Sequence, residues 1–193
     1  MEKHKSLIWY AALGMGLCYL IAVFASCFIG FLSPFCWAFY PVLAAVLAVG
    51  PFFWLASRWQ KFGVGTMCAA LVCLFCLVSG EASGFLSKAI ILACGILADC
   101  IRLWLGNDTR KALYAAYPVL AIGNIGWIIN LWTSPQWYFD GAVEEMGQAY
   151  ADGIVSLQNP WVLVLCVVLT AGVAALSIWL AEKVDNKSAK LLK

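Results

Sequence analysis

Leu7–Phe31 reads LIWYAALGMGLCYLIAVFASCFIGF, a run of 25 residues without a charged side chain. A helix of roughly 20 apolar residues crosses a hydrocarbon core about 30 Å thick, so this stretch predicts a transmembrane helix. The run is too long for a cleavable signal peptide, and no A-x-A-type cleavage site follows it. It is continuously apolar rather than alternating with a period of two, which favours a helix over a membrane β-strand.

The composition of the whole chain agrees with that reading. Of its 193 residues, 64% are apolar and 11% are charged, whereas soluble domains average about 45–50% apolar and about 25% charged. A soluble domain of this length cannot hide so much apolar surface, which excludes a soluble enzyme, a disordered chain and a fibre. Nearly all of the nine cysteines lie inside apolar runs, unlike those of a secreted disulfide scaffold.

Five further stretches resemble the first, so we expect an all-α integral membrane protein with six transmembrane helices in one domain, residues 1–193. The predicted spans are Leu7–Phe31, Phe35–Ser57, Gly63–Ser79, Phe85–Leu105, Ala112–Thr133 and Asn159–Ala181. Basic residues near span ends collect on the cytoplasmic side. An N-in, C-in topology puts 11 of the 12 Lys and Arg residues inside, with Lys88 as the exception.

Prolines indicate where spans begin and bend. Ser33-Pro34 and Asn159-Pro160 each predict an N-cap followed by proline at the first helical position. Gly50-Pro51 inside the second span predicts a kink, because proline removes a backbone donor. The kink either frames a cavity or reflects ordinary packing between membrane helices.

The predicted outer connection, residues 134–158, contains no Lys or Arg. Its apolar residues Phe139, Val143, Met146, Tyr150 and Ile154 recur at spacings of four, three, four and four, which predicts one face of an amphipathic helix. Such a helix lies on the membrane surface. It is either a lid over an outward-facing site or a passive connector.

Several side chains at the predicted outer ends of the spans are candidate ligand contacts. Trp127, Trp137 and Tyr138 form either an interfacial aromatic belt or a pocket for a flat or apolar ligand. Asn130 adds an amide group to the fifth span. Glu81, in a short loop flanked by glycines, is either an acidic ligand contact or a solvated carboxylate.

Little in the sequence indicates covalent chemistry. Cys73 and Cys76 match the C-x-x-C pattern of a redox pair, but buried cysteines usually act as small hydrophobes. His4 is the only histidine, and no Walker A motif occurs. We therefore expect no enzyme, no cofactor and no metal site. Asp99 and Arg102, three residues apart, predict an ion pair on one helix face.

One longer pattern indicates a family. Pro41–Gly80 begins PVLAAVLAVGPFFWLASRWQKFGVGTM and ends FCLVSG, Gly95–Asp99 reads GILAD, and Glu145–Leu157 contains YAD. With the basic end of the last span, these stretches resemble the Trep_Strep family, also labelled MptD-type, over nearly the whole chain. That family is assigned as substrate-binding S components of energy-coupling factor (ECF) transporters.

The resemblance implies a multi-pass protein in the plasma membrane of a prokaryote that captures a vitamin-like or flat organic small molecule outside the cell. Its implied partners are the lipid bilayer, a T component and two cytosolic ATPases, with no nucleic acid. In related S components, small residues of the first helix meet the T component. Here the matching pair is Ala12 and Gly16, which also form a small-x-x-x-small pattern.

By position, the resemblance implies a substrate site at the outer ends of the later helices. The candidate residues are Glu81, Trp127, Asn130, Trp137 and Tyr138. Two alternatives stay open: a membrane thiol oxidoreductase that uses Cys73 and Cys76, and a membrane scaffold without a ligand site.

Overall fold

The computed structural model describes residues 2–78 and 84–191, including the side chains of 10–78 and 84–185. In these ranges the chain forms eleven α-helices, one 3-10 turn (Asn124–Trp127) and no β-strand. In chain order the helices are α1 (Glu2–Gly30), α2 (Pro34–Ala38), α3 (Tyr40–Leu47), α4 (Val49–Arg58), α5 (Val64–Val78), α6 (Phe85–Leu105), α7 (Arg110–Gly123), α8 (Asn130–Thr133), α9 (Pro135–Met146), α10 (Gln148–Val155) and α11 (Pro160–Leu191).

Two long helices correspond to the first and last predicted spans. Tyr10–Gly30 of α1 and Pro160–Asp185 of α11 are long and apolar enough to cross a membrane, with mean hydropathies of 2.2 and 2.5. The start of α11 is the predicted one. Asn159 Oδ1 accepts a hydrogen bond from the Trp161 amide at 2.9 Å, and a proline at the first position needs no amide partner.

The second predicted span, Phe35–Ser57, is divided into α2, α3 and α4. Ser33 caps α2 as predicted, because its hydroxyl accepts a hydrogen bond from the Cys36 amide at 3.1 Å. Helices α3 and α4 meet at an angle of 47°. Pro51 has no amide hydrogen to donate to the Leu47 carbonyl, which explains the break and confirms the predicted kink.

The other predicted spans are shorter, more charged or interrupted. α5 has 15 residues, and the 21 residues of α6 include Lys88, Asp99 and Arg102. The fifth span, Ala112–Thr133, is divided into α7, the 3-10 turn and α8. By length and apolarity alone, two helices of the described chain are membrane-spanning, or three if α3 and α4 count as one bent span.

Helices α5 and α6 touch through two glycines. A Cβ atom on Gly95 would lie 2.5 Å from the Ala69 Cβ atom and 2.8 Å from the Gly65 carbonyl oxygen. A Cβ atom on Gly65 would lie 2.7 Å from the Gly95 carbonyl oxygen. Glycine at both positions therefore allows the backbones to approach closely, as is common between membrane helices.

Asp99 of α6 caps the start of α5. Its carboxylate accepts hydrogen bonds from the Gly65 amide at 2.9 Å, the Thr66 amide at 2.8 Å and the Thr66 hydroxyl at 2.8 Å. These amides belong to the first turn of α5 and have no acceptor within their own helix. The negative charge also interacts favourably with the positive end of the helix dipole.

Arg102, one turn further along α6, contacts the end of α4. Its guanidinium donates hydrogen bonds to the carbonyl oxygens of Ala56 and Trp59, each at 3.1 Å, and lies 3.5 Å from Asp99. Both charged side chains are fully buried. The predicted ion pair is confirmed, and it joins three helices.

Helix α7 lies at the centre of the bundle. It packs against α6 and α11 and also contacts α3, α4 and α5. The Tyr117 hydroxyl donates a hydrogen bond to the Ala45 carbonyl at 2.7 Å. Because protein surrounds this helix, the interior Pro118 and the 3-10 turn that follows need not expose unpaired backbone groups to lipid.

Residues 134–158 form two helices, so the prediction of one amphipathic helix is wrong at its centre. Gly147 separates α9 from α10 and has a φ of 86°, in the region that glycine adopts without strain. The apolar face persists across the break, where Ile154 is buried. We call α9 and α10 together the outer segment.

Polar contacts gather at opposite ends of the bundle. At one end, Arg110 lies 2.6 Å from Glu182, which joins the start of α7 to the later part of α11. We call this the basic end, defined by Arg58, Arg102 and Arg110. The start of α11 lies at the other end, where the Trp132 indole donates a hydrogen bond to the Asn159 carbonyl at 3.3 Å. We call it the acidic end, defined by Asp140, Glu144 and Glu145.

Candidate functional site

A cavity of about 340 Å³ lies at the acidic end. Its walls come from the outer segment, the 3-10 turn, α2, α8 and the residue that follows α1. The lining residues are Phe31, Trp37, Trp127, Asn130, Trp137, Tyr138, Asp140, Gly141, Ala142, Glu144, Glu145, Met146, Tyr150 and Ile154. Pockets for small organic ligands typically measure roughly 300–1,000 Å³, so the cavity is large enough for one such molecule.

Aromatic rings form much of the cavity wall. Phe31 and Trp37 stack with centroids 5.2 Å apart and planes inclined by 12°. Trp127 packs edge-on against Tyr40, at 6.2 Å between centroids. The Trp37 indole donates a hydrogen bond to the Tyr138 hydroxyl, which ties α2 to α9. These contacts hold the aromatic side chains in fixed orientations.

The second half of the outer segment is attached to the turn between α1 and α2. The Tyr150 hydroxyl donates a hydrogen bond to the Gly30 carbonyl at 3.0 Å and also lies 3.4 Å from the Ser33 carbonyl. Close packing adds to this contact, because a Cβ atom on Gly153 would lie 2.6 Å from Pro34 Cγ. Burial raises the pKa of the Tyr150 phenol to about 12.

Asn130 is a polar wall residue held by its neighbours. Its amide donates a hydrogen bond to the Ser87 hydroxyl at 3.3 Å, and its carbonyl oxygen lies 3.5 Å from the Thr133 hydroxyl. Asn130 and Ser87 are both buried. The amide is therefore oriented by protein contacts rather than left unpaired in an apolar environment.

Carboxylates form the rim of the cavity. Asp140, Glu144 and Glu145 are exposed, and the Asp140 carboxylate accepts a hydrogen bond from the Gln136 amide at 2.9 Å. The described residues that line the cavity include no Lys, Arg or His. The cavity therefore combines an aromatic interior with a negatively charged rim.

Four of the five substrate candidates named from the sequence line this cavity: Trp127, Asn130, Trp137 and Tyr138. The fifth, Glu81, lies outside the described residues. The structure brings the four described candidates together at one cavity. That they contact a ligand stays a prediction.

The two docking candidates on α1 are enclosed by the chain itself. Ala12 is 3% exposed. A Cβ atom on Gly16 would lie 2.9 Å from Leu71 Cδ1 and 3.3 Å from Met67 Cε, both on α5. Exposed small residues among the described side chains of the same helix include Ala11, Gly14 and Ala25.

Other cavity residues were not singled out as ligand contacts from the sequence. Phe31 and Tyr150 come together only through the contact between the outer segment and the α1–α2 turn. The acidic rim residues Asp140, Glu144 and Glu145 lie off the predicted apolar face, and their spacing alone does not indicate a ligand site. Treating both faces of the outer segment as candidates for a site beneath it would have found Tyr150, Glu144 and Glu145.

Cys73 and Cys76 lie away from the cavity, and neither residue lines it. Cys76 is buried, and the Cys73 thiol donates a hydrogen bond to the Lys88 carbonyl at 3.5 Å. Among the side chains that the structure describes, those of residues 10–78 and 84–185, no group of three or more His, Cys, Asp or Glu is arranged to hold a metal ion.

The helical bundle and its apolar surface define the class of the protein as an all-α, multi-pass integral membrane protein. The chain belongs to the Trep_Strep family, whose model, described as a hypothetical bacterial integral membrane protein, matches residues 7–190. The resemblance to this family is thereby confirmed, and the protein is a bacterial integral membrane protein. The S-component role that the resemblance implies stays a prediction. No curated protein and no solved structure matches the chain significantly.

Proposed function

We propose that this protein is the substrate-capture S component of an ATP-driven ECF importer and binds a small organic molecule outside the cell. The observation that carries the proposal is the cavity at the acidic end. Its volume of about 340 Å³ suits one small ligand. Trp127, Trp137 and Tyr138 supply apolar ring surface, and Asn130 supplies an oriented amide.

The proposal includes six crossings. Large apolar side chains outside the two longest helices are exposed, as lipid contact requires, among them Leu77 and Val78 on α5 and Leu103 and Trp104 on α6. The charges that make α6 less apolar do not all face lipid, since Asp99 and Arg102 are buried. Charged side chains within a membrane normally face the bundle interior in this way.

The charge at the two ends supports an N-in, C-in orientation as part of the proposal. The short connections at the basic end contain or adjoin Arg58, Lys61, Arg110 and Lys111, and such residues collect on the cytoplasmic side. The cavity at the acidic end then opens to the outside. The outer segment forms one wall of the cavity, and we propose that it acts as a lid.

The energy for import comes from partners in this proposal. The sequence contains no Walker A motif, and the partners are a T component and two cytosolic ATPases. With Ala12 and Gly16 packed inside the bundle, the exposed Ala11 and Gly14 provide the small-residue surface on α1 for the T component. The protein itself performs no covalent chemistry.

Co-purification of the tagged chain with its host's T component and ATPases tests the docking part. We expect a stable complex for the natural chain and loss of that complex for Gly14→Leu, because the larger side chain blocks close helix approach. Gly172→Leu is the matched control, since Gly172 is an exposed glycine of α11 with no atom near its Cβ position. Equal recovery of the complex with both variants would exclude docking through this part of α1.

The thiol oxidoreductase is a weaker alternative, because Cys76 is buried and neither Cys73 nor Cys76 reaches the cavity. A membrane scaffold without a ligand site is also a weaker alternative, because it does not explain the cavity. It predicts a partner complex that never contains a small molecule.

A further inference from the structure

We infer that the ligand of this cavity is a compact organic cation, an amine or quaternary ammonium that also carries an apolar or flat group. The inference rests on the proposed function, because it names the chemical class of the molecule captured at the same site. The juxtaposition that carries it is an aromatic wall beneath a rim of three carboxylates.

The aromatic wall suits a cation. Trp37, Trp127, Trp137 and Tyr138 line the cavity, and the face of an aromatic ring carries partial negative charge that attracts an ammonium group. Indole rings are the strongest partners in such contacts. The same rings pack against the apolar part of the ligand.

Two of the hydrogen-bond donors in the wall are already engaged by protein. The Trp37 indole donates to the Tyr138 hydroxyl, and the Tyr150 hydroxyl donates to the Gly30 carbonyl at 3.0 Å. A bound anion needs several donors aimed at its oxygens. With these two donors engaged, the wall offers an anionic ligand fewer hydrogen bonds than its side chains could supply.

The rim adds negative charge. Glu144 and Glu145 make no hydrogen bond or ion pair with any residue that the structure describes, and no Lys, Arg or His is present among the described lining residues. Carboxylates at the mouth of a cleft attract cations and repel anions on approach. The rim and the wall thus both favour a positively charged ligand.

Three probes that differ only in the head group test the inference: 2-phenylethylammonium, 2-phenylethanol and phenylacetate. Binding to the full chain in phosphatidylcholine nanodiscs is measured by calorimetry. We expect saturable binding of the ammonium probe, at least roughly tenfold tighter than that of the alcohol, with phenylacetate the weakest. The affinity of the ammonium probe should fall as sodium chloride is added, because salt screens exposed charges.

The double variant Glu144→Gln/Glu145→Gln should weaken binding of the ammonium probe by roughly tenfold and flatten its salt dependence. Asp152→Asn is the matched control. Asp152 is an exposed carboxylate of the same outer segment that does not line the cavity, so its replacement should leave the affinity unchanged.

Equal affinity for the ammonium and the alcohol, tighter binding of phenylacetate, or no saturable binding of the ammonium would each overturn the inference. Co-purification with the T component and ATPases separates this failure from that of the proposed function. If the chain forms a normal complex with its partners but shows no preference for cations, only the inferred ligand class is wrong. If the chain binds cations but forms no complex, the importer role is wrong and the cation site remains.

Discussion

Asp99 and Arg102 lie one turn apart on α6, contact each other at 3.5 Å and hold the facing ends of two other helices. Asp99 caps α5 through Gly65 and Thr66. Arg102 binds the last carbonyl groups of α4. The pair therefore fixes the α4–α5 connection, which the proposed topology places on the cytoplasmic side.

Replacing Asp99 with Asn should strongly destabilise the protein. The change leaves Arg102 buried without its counter-charge, and breaking a buried pair in this way costs about 3–5 kcal/mol. Thermal unfolding of the purified protein measures the loss. Asp108→Asn, at an exposed carboxylate just beyond α6, is the control and should unfold like the natural chain. Equal unfolding temperatures for the two variants would contradict the role assigned to the pair.

Gly95→Ala should also destabilise the bundle. The new methyl group would lie 2.5 Å from Ala69 Cβ and 2.8 Å from a backbone oxygen, so α5 and α6 must separate, at a cost of about 1–3 kcal/mol. Gly172→Ala adds the same methyl group where no atom lies within 4 Å. That control should unfold at or above the natural temperature, because alanine favours a helix over glycine. A Gly95→Ala protein as stable as the control would show that the contact is not tight.

These stabilising contacts were only partly predictable from the sequence. The spacing of Asp99 and Arg102 was enough to predict their ion pair, because neighbours on one helix face are set by helix geometry. Their partners Gly65 and Ala56 are distant in sequence, and no local rule identifies them. Pro51 likewise marked the bend between α3 and α4. Gly147 is one of three glycines in the outer segment, and the sequence does not show which of them adopts the positive φ that divides it.

The cavity was predictable to a similar degree. Trp127, Trp137 and Tyr138 are candidates from the sequence alone, because they lie at the predicted outer ends of the spans. Phe31 and Tyr150 were missed as ligand contacts, since their place in the cavity depends on how the outer segment packs onto the α1–α2 turn. Tertiary packing, rather than periodicity, decides that contact.

Stability at high pH should depend on Tyr150. Burial raises its pKa from about 10 to about 12, and the charge of Cys36 acts in the same direction. The unfolded phenol ionises near pH 10 while the folded phenol keeps its proton. The stabilising contribution is therefore complete below about pH 10 and is lost as the pH rises to about 12.

The measurement is the difference in unfolding temperature between the natural chain and Tyr150→Phe, taken from neutral pH to about pH 12. We expect a constant difference up to about pH 10 and a decrease above it. Tyr10→Phe, at an exposed tyrosine of α1, is the matched control. A difference for Tyr150→Phe that stays constant over the whole range would contradict the assigned contact.

Trp137→Ala should weaken ligand binding without loss of stability. Trp137 lines the cavity and is 47% exposed, so its ring contributes more to the ligand than to the core. We expect the affinity for 2-phenylethylammonium to fall by roughly tenfold, as is common for a tryptophan contact. Trp104→Ala removes an 85% exposed tryptophan from α6 and should leave the affinity unchanged. Identical affinities for the two variants would remove Trp137 from the site.

The double variant Cys73→Ala/Cys76→Ala separates capture from thiol chemistry. Neither thiol lines the cavity, so we expect ligand binding and ATP-driven uptake to remain close to those of the natural chain. Uptake into vesicles that contain the complete importer is the readout. Loss of uptake in a variant that still folds and binds its partners would favour the oxidoreductase.

Native mass spectrometry of the gently purified chain, expressed with its host's T component and ATPases, tests substrate capture most directly. The account predicts a complex of this chain, one T component and two ATPases that retains a small organic molecule. Trp137→Ala should lower the occupancy of that molecule, whereas Trp104→Ala should not. A folded chain that carries no small molecule and joins no such complex would contradict the account.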